Sequence, residues 1–338
     1  MPMMGTPSTL FIFRIVPRMN IWFAHRSGNI DDVNEYRQTR IHANLRLRAQ
    51  ILQLVRQFFI DAHFLEVETP VRISSPAPER HIHAVPSGSW CLQASPELFM
   101  KRLLSAGYPR IFQICKCFRA HERGKRHLSE FTLLEWYCTQ MDYGAFMDQC
   151  EALIQAVASG LGLKNLLLYQ GKKVDLTSPW HRISVTDAFH RWAGVSPEEA
   201  LMQDRFDEIM VDAIEPNLGF VTPSFLYDYP VECGALARRD PNNEKIVQRF
   251  ELYVCGLELC NAFIELTDPV EQRVRFEREQ SGMRRPGTPD YPLPEKFLTA
   301  LEDMPESAGN ALGIDRLIML FADAGTIDDV VAFTPEEI

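Results

Sequence analysis

Two arginines stand where a phosphate could be met. Arg119 opens a polar stretch, 119–129, between two strand-like runs, Arg110–Phe118 and 130–141. Arg316 opens a helical run after a glycine-bearing strand. A planar guanidinium suits a phosphate at a reacting centre. Glu251 and Glu258 lie in apolar runs, 250–254 and 257–266, which pair as strands turning at Cys255-Gly256. Glutamates in apolar strands are costly unless a cation meets them. Magnesium on a triphosphate is a natural partner, since it takes few protein carboxylates and completes its shell with phosphate oxygens. A substrate amine is the other partner open to Glu258. After the polar stretch, Phe131, Leu133, Glu135 and Tyr137 share one strand face at period two. An acid and a phenol on a half-buried face suit a site better than a core. Together these residues fit the activation of a carboxylate by ATP, which needs cations on phosphates, a carboxylate pair for magnesium and a platform for adenine.

Elements able to position these groups can be read along the chain. Ile51, Val55, Phe58, Phe59 and Ala62 repeat at helical spacing. Phe64-Leu-Glu-Val-Glu-Thr-Pro70 then reads as a strand stopped by proline, which has no ladder donor. Ser95 is a cap, Pro96 suits a first turn, Glu97 complements the helix dipole and Gly107 closes that helix. Residues 143–160 form an amphipathic helix with Phe146, Cys150, Leu153 and Val157 in register. Asp268-Pro-Val-Glu271 resembles a capping box. Residues 311–314 read as a strand running into a helix over 315–323. The stretch 165–245 holds several Pro-containing turns and gives no clear order of elements. No internal repeat or low-complexity tract is present.

Composition narrows the class. The 338 residues are 46% hydrophobic and 24% charged, ordinary globular values. A net charge of -10 lowers the expectation of nucleic-acid binding, which rewards clustered Lys and Arg. The eight cysteines form no Cys-x-x-Cys pair and read as free thiols of a reducing cytosol, with Cys115 and Cys117 on one strand face. His81 and His83 have no third ligand in view and read as loop or strand residues. No apolar run is long enough to span a bilayer. The run 10–24 contains Arg14 and Arg18, which spoil a signal-peptide core. Residues 1–40 are expected to be a loose N-terminal extension, with neither room nor alternation for a five-stranded oligonucleotide-binding barrel. Residues 41–338 are expected to form one catalytic domain.

Three separated segments carry a resemblance. They are 51–70 with its proline-stopped strand, 112–137 containing Phe118-Arg-Ala-His-Glu-Arg-Gly-Lys-Arg-His127 and Leu-Ser-Glu-Phe-Thr-Leu-Leu-Glu-Trp-Tyr137, and 309–320 beginning Gly309-Asn-Ala-Leu-Gly-Ile-Asp-Arg316. These resemble motifs 1, 2 and 3 of class II aminoacyl-tRNA synthetases, in the family order. Ser95-Pro-Glu-Leu-Phe-Met-Lys-Arg102, Asp228-Tyr-Pro230, Arg249-Phe-Glu-Leu-Tyr253 and Gly256-Leu-Glu-Leu-Cys-Asn-Ala-Phe-Ile-Glu-Leu-Thr-Asp268 are similar to the lysyl branch. The resemblance runs from about Ile41 to the C-terminus. It implies an α+β fold, an antiparallel sheet flanked by helices, and a homodimer formed through motif 1.

The resemblance also implies roles. Arg119 would hold the α-phosphate and Arg316 the γ-phosphate, with Glu251 the third catalytic group. Ala120, His121, Glu122, His127 and Leu128 would line the ATP site, with Phe131 stacking on adenine and Leu252 and Gly313 nearby. Glu251 and Glu258 would hold magnesium. Ser95, Pro96 and Glu97 would bind the substrate, with Glu97 holding its near amine, Glu135 and Tyr137 would face its amines, and Asn261 and Glu265 would read the distant ammonium, with Glu258 also in reach. The sequence departs from the lysyl pattern in three places. Arg119-Ala-His121 replaces Arg-x-Glu, with Glu122 one position later. His127-Leu-Ser-Glu-Phe131 replaces His-Asn-Pro-Glu-Phe, and Ala311 replaces a glycine of motif 3. That alanine and the absence of an anticodon-binding segment point to the lysyl-like elongation factor P ligases, which activate (R)-β-lysine as the adenylate and transfer it to a lysine of elongation factor P. The rival readings are a truncated enzyme charging tRNA or using α-lysine, an inactive paralogue sensing lysine or a nucleotide, and an asparagine synthetase of the same fold.

Overall fold

The computed structural model describes residues 36–283 and 291–338, of which Arg37–Ile338 belong to one compact unit. The stretch 1–35, most of the expected loose extension, lies outside the described residues, as does 284–290. After a short helix at Arg37–Arg40, helix α1 (His42–Asp61) begins. It buries Ile51, Val55 and Phe59, one stripe at four-residue spacing, and ends where His63 takes a positive φ of 62°.

The motif 1 strand is much shorter than the sequence suggests. Only β1 (Leu65–Glu66) forms, parallel to the start of the next long strand, with one further bond from Val67 N to Phe112 O (2.9 Å). It is the outermost strand of its sheet, and Pro70 has no donor to extend it. Helix α2 (Glu97–Ser105) follows, and the hydroxyl of Ser95 accepts from Glu97 N (3.0 Å). The long hairpin β2 (Arg110–Phe118) and β3 (Glu130–Thr139) carries the loop of Arg119, and helix α3 (Tyr143–Gly160) is capped by Asp142. Strands β4 (His181–Ser184), β5 (Ser224–Pro230), β6 (Asn243–Val254) and β7 (Leu257–Ile264) come next, then α4 (Pro269–Met283), β8 (Ser307–Gly313) and α5 (Ile314–Phe321). The turn between β6 and β7 has positive φ at Cys255 (52°) and Gly256 (67°), the conformation of a tight hairpin.

The sheet order is β1-β2-β3-β8-β7-β6-β5-β4, with Arg239–Asp240 added beside β6 to make nine strands. All pairs are antiparallel except the two outermost, β1 with β2 and β5 with β4. The α+β expectation therefore holds. The stretch 165–245 resolves into a hairpin (Leu166–Tyr169 with Lys172–Asp175), the three strands His181–Ser184, Ser224–Pro230 and Arg239–Asp240, and short helices, with a second core that includes Val185, Phe189, Phe206, Ile214 and Tyr229. Its elements are too short to leave a periodic trace.

One face of the hairpin β2–β3 carries Phe112, Leu134, Trp136 and Cys138 into the main core, where α1 and α3 also place theirs. Phe59 stacks on Phe112 (centroids 4.9 Å) and lies 5.3 Å from Trp136. Arg48 of α1 donates to Asp315 Oδ1 (2.5 Å) and Thr132 Oγ1 (2.7 Å), and Asp315 Oδ2 accepts from Thr132 N (2.7 Å). One buried carboxylate thus joins α1, β3 and α5. Truncation of Phe59 to alanine should cost about 3–5 kcal/mol, since the aromatic cluster cannot collapse around the space left. Urea denaturation would show it as a lower midpoint at unchanged slope. A loss below about 1 kcal/mol would mean that α1 is anchored elsewhere.

Candidate active site

The other face of the sheet lines a cavity of about 260 Å³. Its floor is set by β8, which runs between β3 and β7. Gly309 lies opposite Tyr137 and Phe263, Ala311 opposite Glu135 and Asn261, and Gly313 opposite Leu133. The central strand thus offers glycine, alanine and glycine to the cavity, and the longer side chains of its neighbours stand as walls. At Gly309 any Cβ would fall well inside van der Waals contact with Glu265 Oε1 and the Tyr137 ring.

One end is acidic. Glu135 accepts from Ser95 Oγ (2.5 Å) and Tyr137 Oη (2.7 Å). Burial and the neighbouring Glu97 push its carboxyl up to about 8. Glu265 is also pushed up to about 8, by burial and partly against the pull of Lys101. The ammonium of Lys101 lies 2.5 Å from Glu97 Oε1 and 2.5 Å from Glu265 Oε2. Burial opposes the charge on Lys101, but the two glutamates outweigh it and its pKa is raised. Glu265 Oε1 is buried with no hydrogen-bond partner among the described residues. Glu265 itself is 1% exposed and sits behind Gly309 rather than in the cavity wall.

The other end is cationic. Arg119, Arg126 and Arg316 line it together with His127, Leu128 and Phe131. The Arg119 guanidinium lies 5.0 Å from the Phe131 ring centroid, and its Nε is buried without a partner among the described residues. Arg316 donates to Glu258 O (2.8 Å) and Glu258 Oε2 (3.1 Å), and its Nη2 is 2.6 Å from His127 Nε2. Burial, then Arg316, lowers the His127 pKa. Burial tends to raise the Glu258 carboxyl, but Arg316, Arg249 and Arg119 together hold it below the usual value.

Most of the residues singled out in the sequence meet here. Ser95, Glu97, Arg119, Glu122, His127, Leu128 and Phe131 line the cavity, as do Glu135, Tyr137, Glu258, Asn261, Ala311, Gly313 and Arg316. Pro96, Ala120, His121, Leu252 and Glu251 do not, although Ala120 and His121 extend the Arg119 loop, where His121 has a positive φ of 68°. Glu251 is held by three donors: Tyr229 Oη (2.5 Å) and Tyr253 Oη (2.6 Å) on Oε2, and Arg249 Nη2 (2.6 Å) on Oε1. A carboxylate has about four acceptor positions, so one remains. Glu251 and Glu258 therefore fit a cation that takes few protein oxygens, and no group of three metal-ligating side chains occurs among the described residues. All eight cysteines are free, with the sulfurs of Cys115 and Cys117 3.8 Å apart.

Sequence reasoning missed Lys101, Glu79, Arg126 and Gly309. The spacing of Lys101 four residues after Glu97 on a helix was a usable signal. Glu79 lies in a loop without period and gave none.

The comparisons agree with the geometry. Residues 31–337 match the family described as tRNA synthetases class II (D, K and N). The chain is 35% identical over 317 residues to the elongation factor P–(R)-beta-lysine ligase of Vibrio cholerae serotype O1, covering 89% of this chain and 98% of the relative. It is 34% identical over 320 residues to the ligase of the same name from Proteus mirabilis, covering 90% and 98%. A lysine–tRNA ligase of Clostridium perfringens is 34% identical over 318 residues, covering 85% of this chain and 63% of that enzyme.

Glu135 supplies a pH test. Its folded carboxyl keeps a proton up to about pH 8, whereas the unfolded chain loses it near 4.5. Its contribution to stability is full below about pH 4.5 and is lost as pH rises through about 8. The fall in Tm between about pH 5 and 8.5 should therefore be shallower in Glu135→Gln than in the wild type. Parallel Tm–pH curves for the two proteins would contradict the assignment.

Proposed function

The chain belongs to the class II tRNA synthetase family of the D, K and N type, and from that premise we propose that it joins (R)-β-lysine to a lysine side chain of elongation factor P at the expense of ATP. The observation that carries the reading is the two-ended cavity: arginines at one end for a polyphosphate, glutamates at the other for a diamino acid. The acceptor is supported by the relatives of that name, which align along 98% of their length. The net charge of -10, unhelpful for tRNA, supports it further.

In this reading Arg119 meets the α-phosphate and Arg316 the γ-phosphate, with Phe131 beneath adenine. A substrate carboxylate oxygen attacks the α-phosphorus, the bond to pyrophosphate breaks, and an acyl adenylate forms. Glu97 and Glu135 keep the amines of the substrate protonated, so that its carboxylate is the nucleophile. The unspent acceptor of Glu265 suits the distant ammonium, beside Tyr137 and Asn261. The acceptor amine then attacks the acyl carbon and AMP leaves. Magnesium, held by Glu251 and Glu258 with phosphate oxygens, would neutralise charge on the departing pyrophosphate. A homodimer belongs to the same reading, and Ile60, Leu65 and Tyr108 stand exposed at the end of α1, on β1 and before β2.

One gel tests the acceptor. Radiolabelled β-lysine and ATP are offered with elongation factor P in one lane and bulk tRNA in another. Label should enter the factor, and Arg119→Ala should cut amino-acid-dependent ATP–pyrophosphate exchange by about 10²–10³-fold. Charging of tRNA with no label on the factor would favour the tRNA reading.

Ala311 bears on the choice of amino acid. Its methyl group lines the cavity between Glu135 and Asn261. Burying a methyl gains only about 0.8 kcal/mol, whereas a clash in a tight pocket costs about 1–3 kcal/mol. Moving an amine from the α to the β carbon changes where room is needed. Ala311→Gly should raise kcat/KM for α-lysine about tenfold or more, with a smaller change for β-lysine. An unmoved ratio would remove Ala311 as the selector.

A further inference from the structure

One carboxylate of the cavity wall at the acidic end has neither an ion pair nor a hydrogen bond to a described residue. Glu79 lies in the loop between the short strands Arg72–Ile73 and Pro86–Ser87. Its surroundings fix it on both sides. Ile82 N donates to Glu79 O (3.1 Å), Arg80 N donates to Glu279 Oε2 of α4 (3.1 Å), and Ala120 N donates to His83 O (2.7 Å), which ties the loop to that of Arg119. The Glu79 carboxylate makes no hydrogen bond or ion pair with a described residue.

The charges acting on it are Glu97, Arg119, Arg249 and Lys101, in falling order, and burial with Glu97 pushes it up to about 7. Lys101 is already shared by Glu97 and Glu265 at 2.5 Å each. The ammonium that acts on Glu79 is therefore already engaged elsewhere, and a second carboxylate near Glu97 is unfavourable until a further cation arrives. Glu79 lines the cavity together with Glu97 of the acidic end and Arg119 of the cationic end, and its loop is bonded to that of Arg119, so it is within the space where the reacting carboxylate of an amino acid would lie. An ammonium near that carboxylate is the missing partner.

Resting on the function proposed above, we propose that Glu79 is a specificity-determining residue, which with Glu97 receives the substrate ammonium nearest the reacting carboxylate. The cavity thereby selects a diamino acid over an ω-amino acid that has only the distant amine. Glu79 does so from a loop outside the strands that carry the other substrate contacts.

The test compares the better of α-lysine and β-lysine with 6-aminohexanoate, which keeps the carboxylate and the distant ammonium and lacks the near one. ATP–pyrophosphate exchange is measured for wild type, Glu79→Gln and Glu79→Asp, with 6-aminohexanoate followed as substrate or as competitive inhibitor. Loss of a charge-assisted hydrogen bond should lower kcat/KM for the diamino acid about 10–100-fold in Glu79→Gln. The change should appear mainly in KM, with KM for ATP unchanged and Tm not lowered. Binding of 6-aminohexanoate should stay within about twofold, and Glu79→Asp should recover part of the loss. Equal losses for both compounds would mean that Glu79 only balances Arg119 or holds the loop, and would overturn the proposal, as would no loss for either. A wild type inactive with every diamino acid would instead overturn the functional reading, and this inference with it.

Discussion

Lys101 is 1% exposed, and its ammonium lies 2.5 Å from a carboxylate of its own helix and 2.5 Å from that of Glu265, just after β7. It also faces the rings of Phe263 (5.0 Å) and Phe297 (5.9 Å). An isolated ammonium in such a place would shed its proton, but Glu265 and Glu97 reverse that tendency. The acidic end of the cavity depends on this contact. Without it, Glu97 and Glu265 would repel each other and Glu135 across a buried space. Breaking a buried pair by removing one partner typically costs about 3–5 kcal/mol, because the other charge stays uncompensated. Lys101 also sets the stoichiometry of charge: it satisfies two glutamates and leaves Glu79 and Glu135 for cations from outside.

The space itself comes from β8. A central strand normally fills the gap between its neighbours with side chains at period two. Here the positions facing the cavity are Gly309, Ala311 and Gly313, so Tyr137, Glu135, Phe263 and Asn261 of the adjacent strands surround an open channel. Sequence economy follows. A strand able to make ladder bonds on both sides needs no large residue to stay in the sheet, provided the opposite face is packed, and Ala308, Asn310 and Leu312 are buried there at 0–2% exposure. The same backbone leads into α5, so that Arg316 emerges at the cationic end while Asp315 points back to Arg48 and Thr132.

What could be read without coordinates follows the same division. The long hairpin, α3 and the stripe of α1 have strong periods, and Phe131, Glu135 and Tyr137 fall on the cavity face by parity alone. Motifs 2 and 3 and the segment Gly256–Asp268, widely spaced in sequence, meet because β3, β8 and β7 are neighbours, an order that periodicity cannot supply. Where elements are short the reading fails. The motif 1 strand shrinks to Leu65–Glu66, since an edge strand is held on one side only. Lys101 was written in the spacing Glu97-x-x-x-Lys101, but its second partner, Glu265, is distant in sequence. Glu79 is invisible in the chain because its significance lies wholly in what stands across the cavity.

At the cationic end, among the described residues, the arginine nitrogen that is buried without a partner is Nε of Arg119. Arg316 is held by Glu258 and lies against His127, whose pKa burial and Arg316 together lower. A phosphate arriving as in the proposed reaction would therefore exchange one set of charge-assisted bonds for another, and would free the Glu258 carboxylate for the metal proposed to accompany it. Such an exchange adds little net enthalpy, but it holds the guanidinium in place beforehand, which lowers the ordering cost of binding. Arg119 differs. Its Nε is buried and unpartnered, a cost of about 1–3 kcal/mol in the free state that an acceptor oxygen would remove. In the reaction proposed above the two arginines would have different tasks. Arg316 would anchor a charge that does not change, whereas an unsatisfied donor at Arg119 would gain most where charge develops, at the phosphorus under attack.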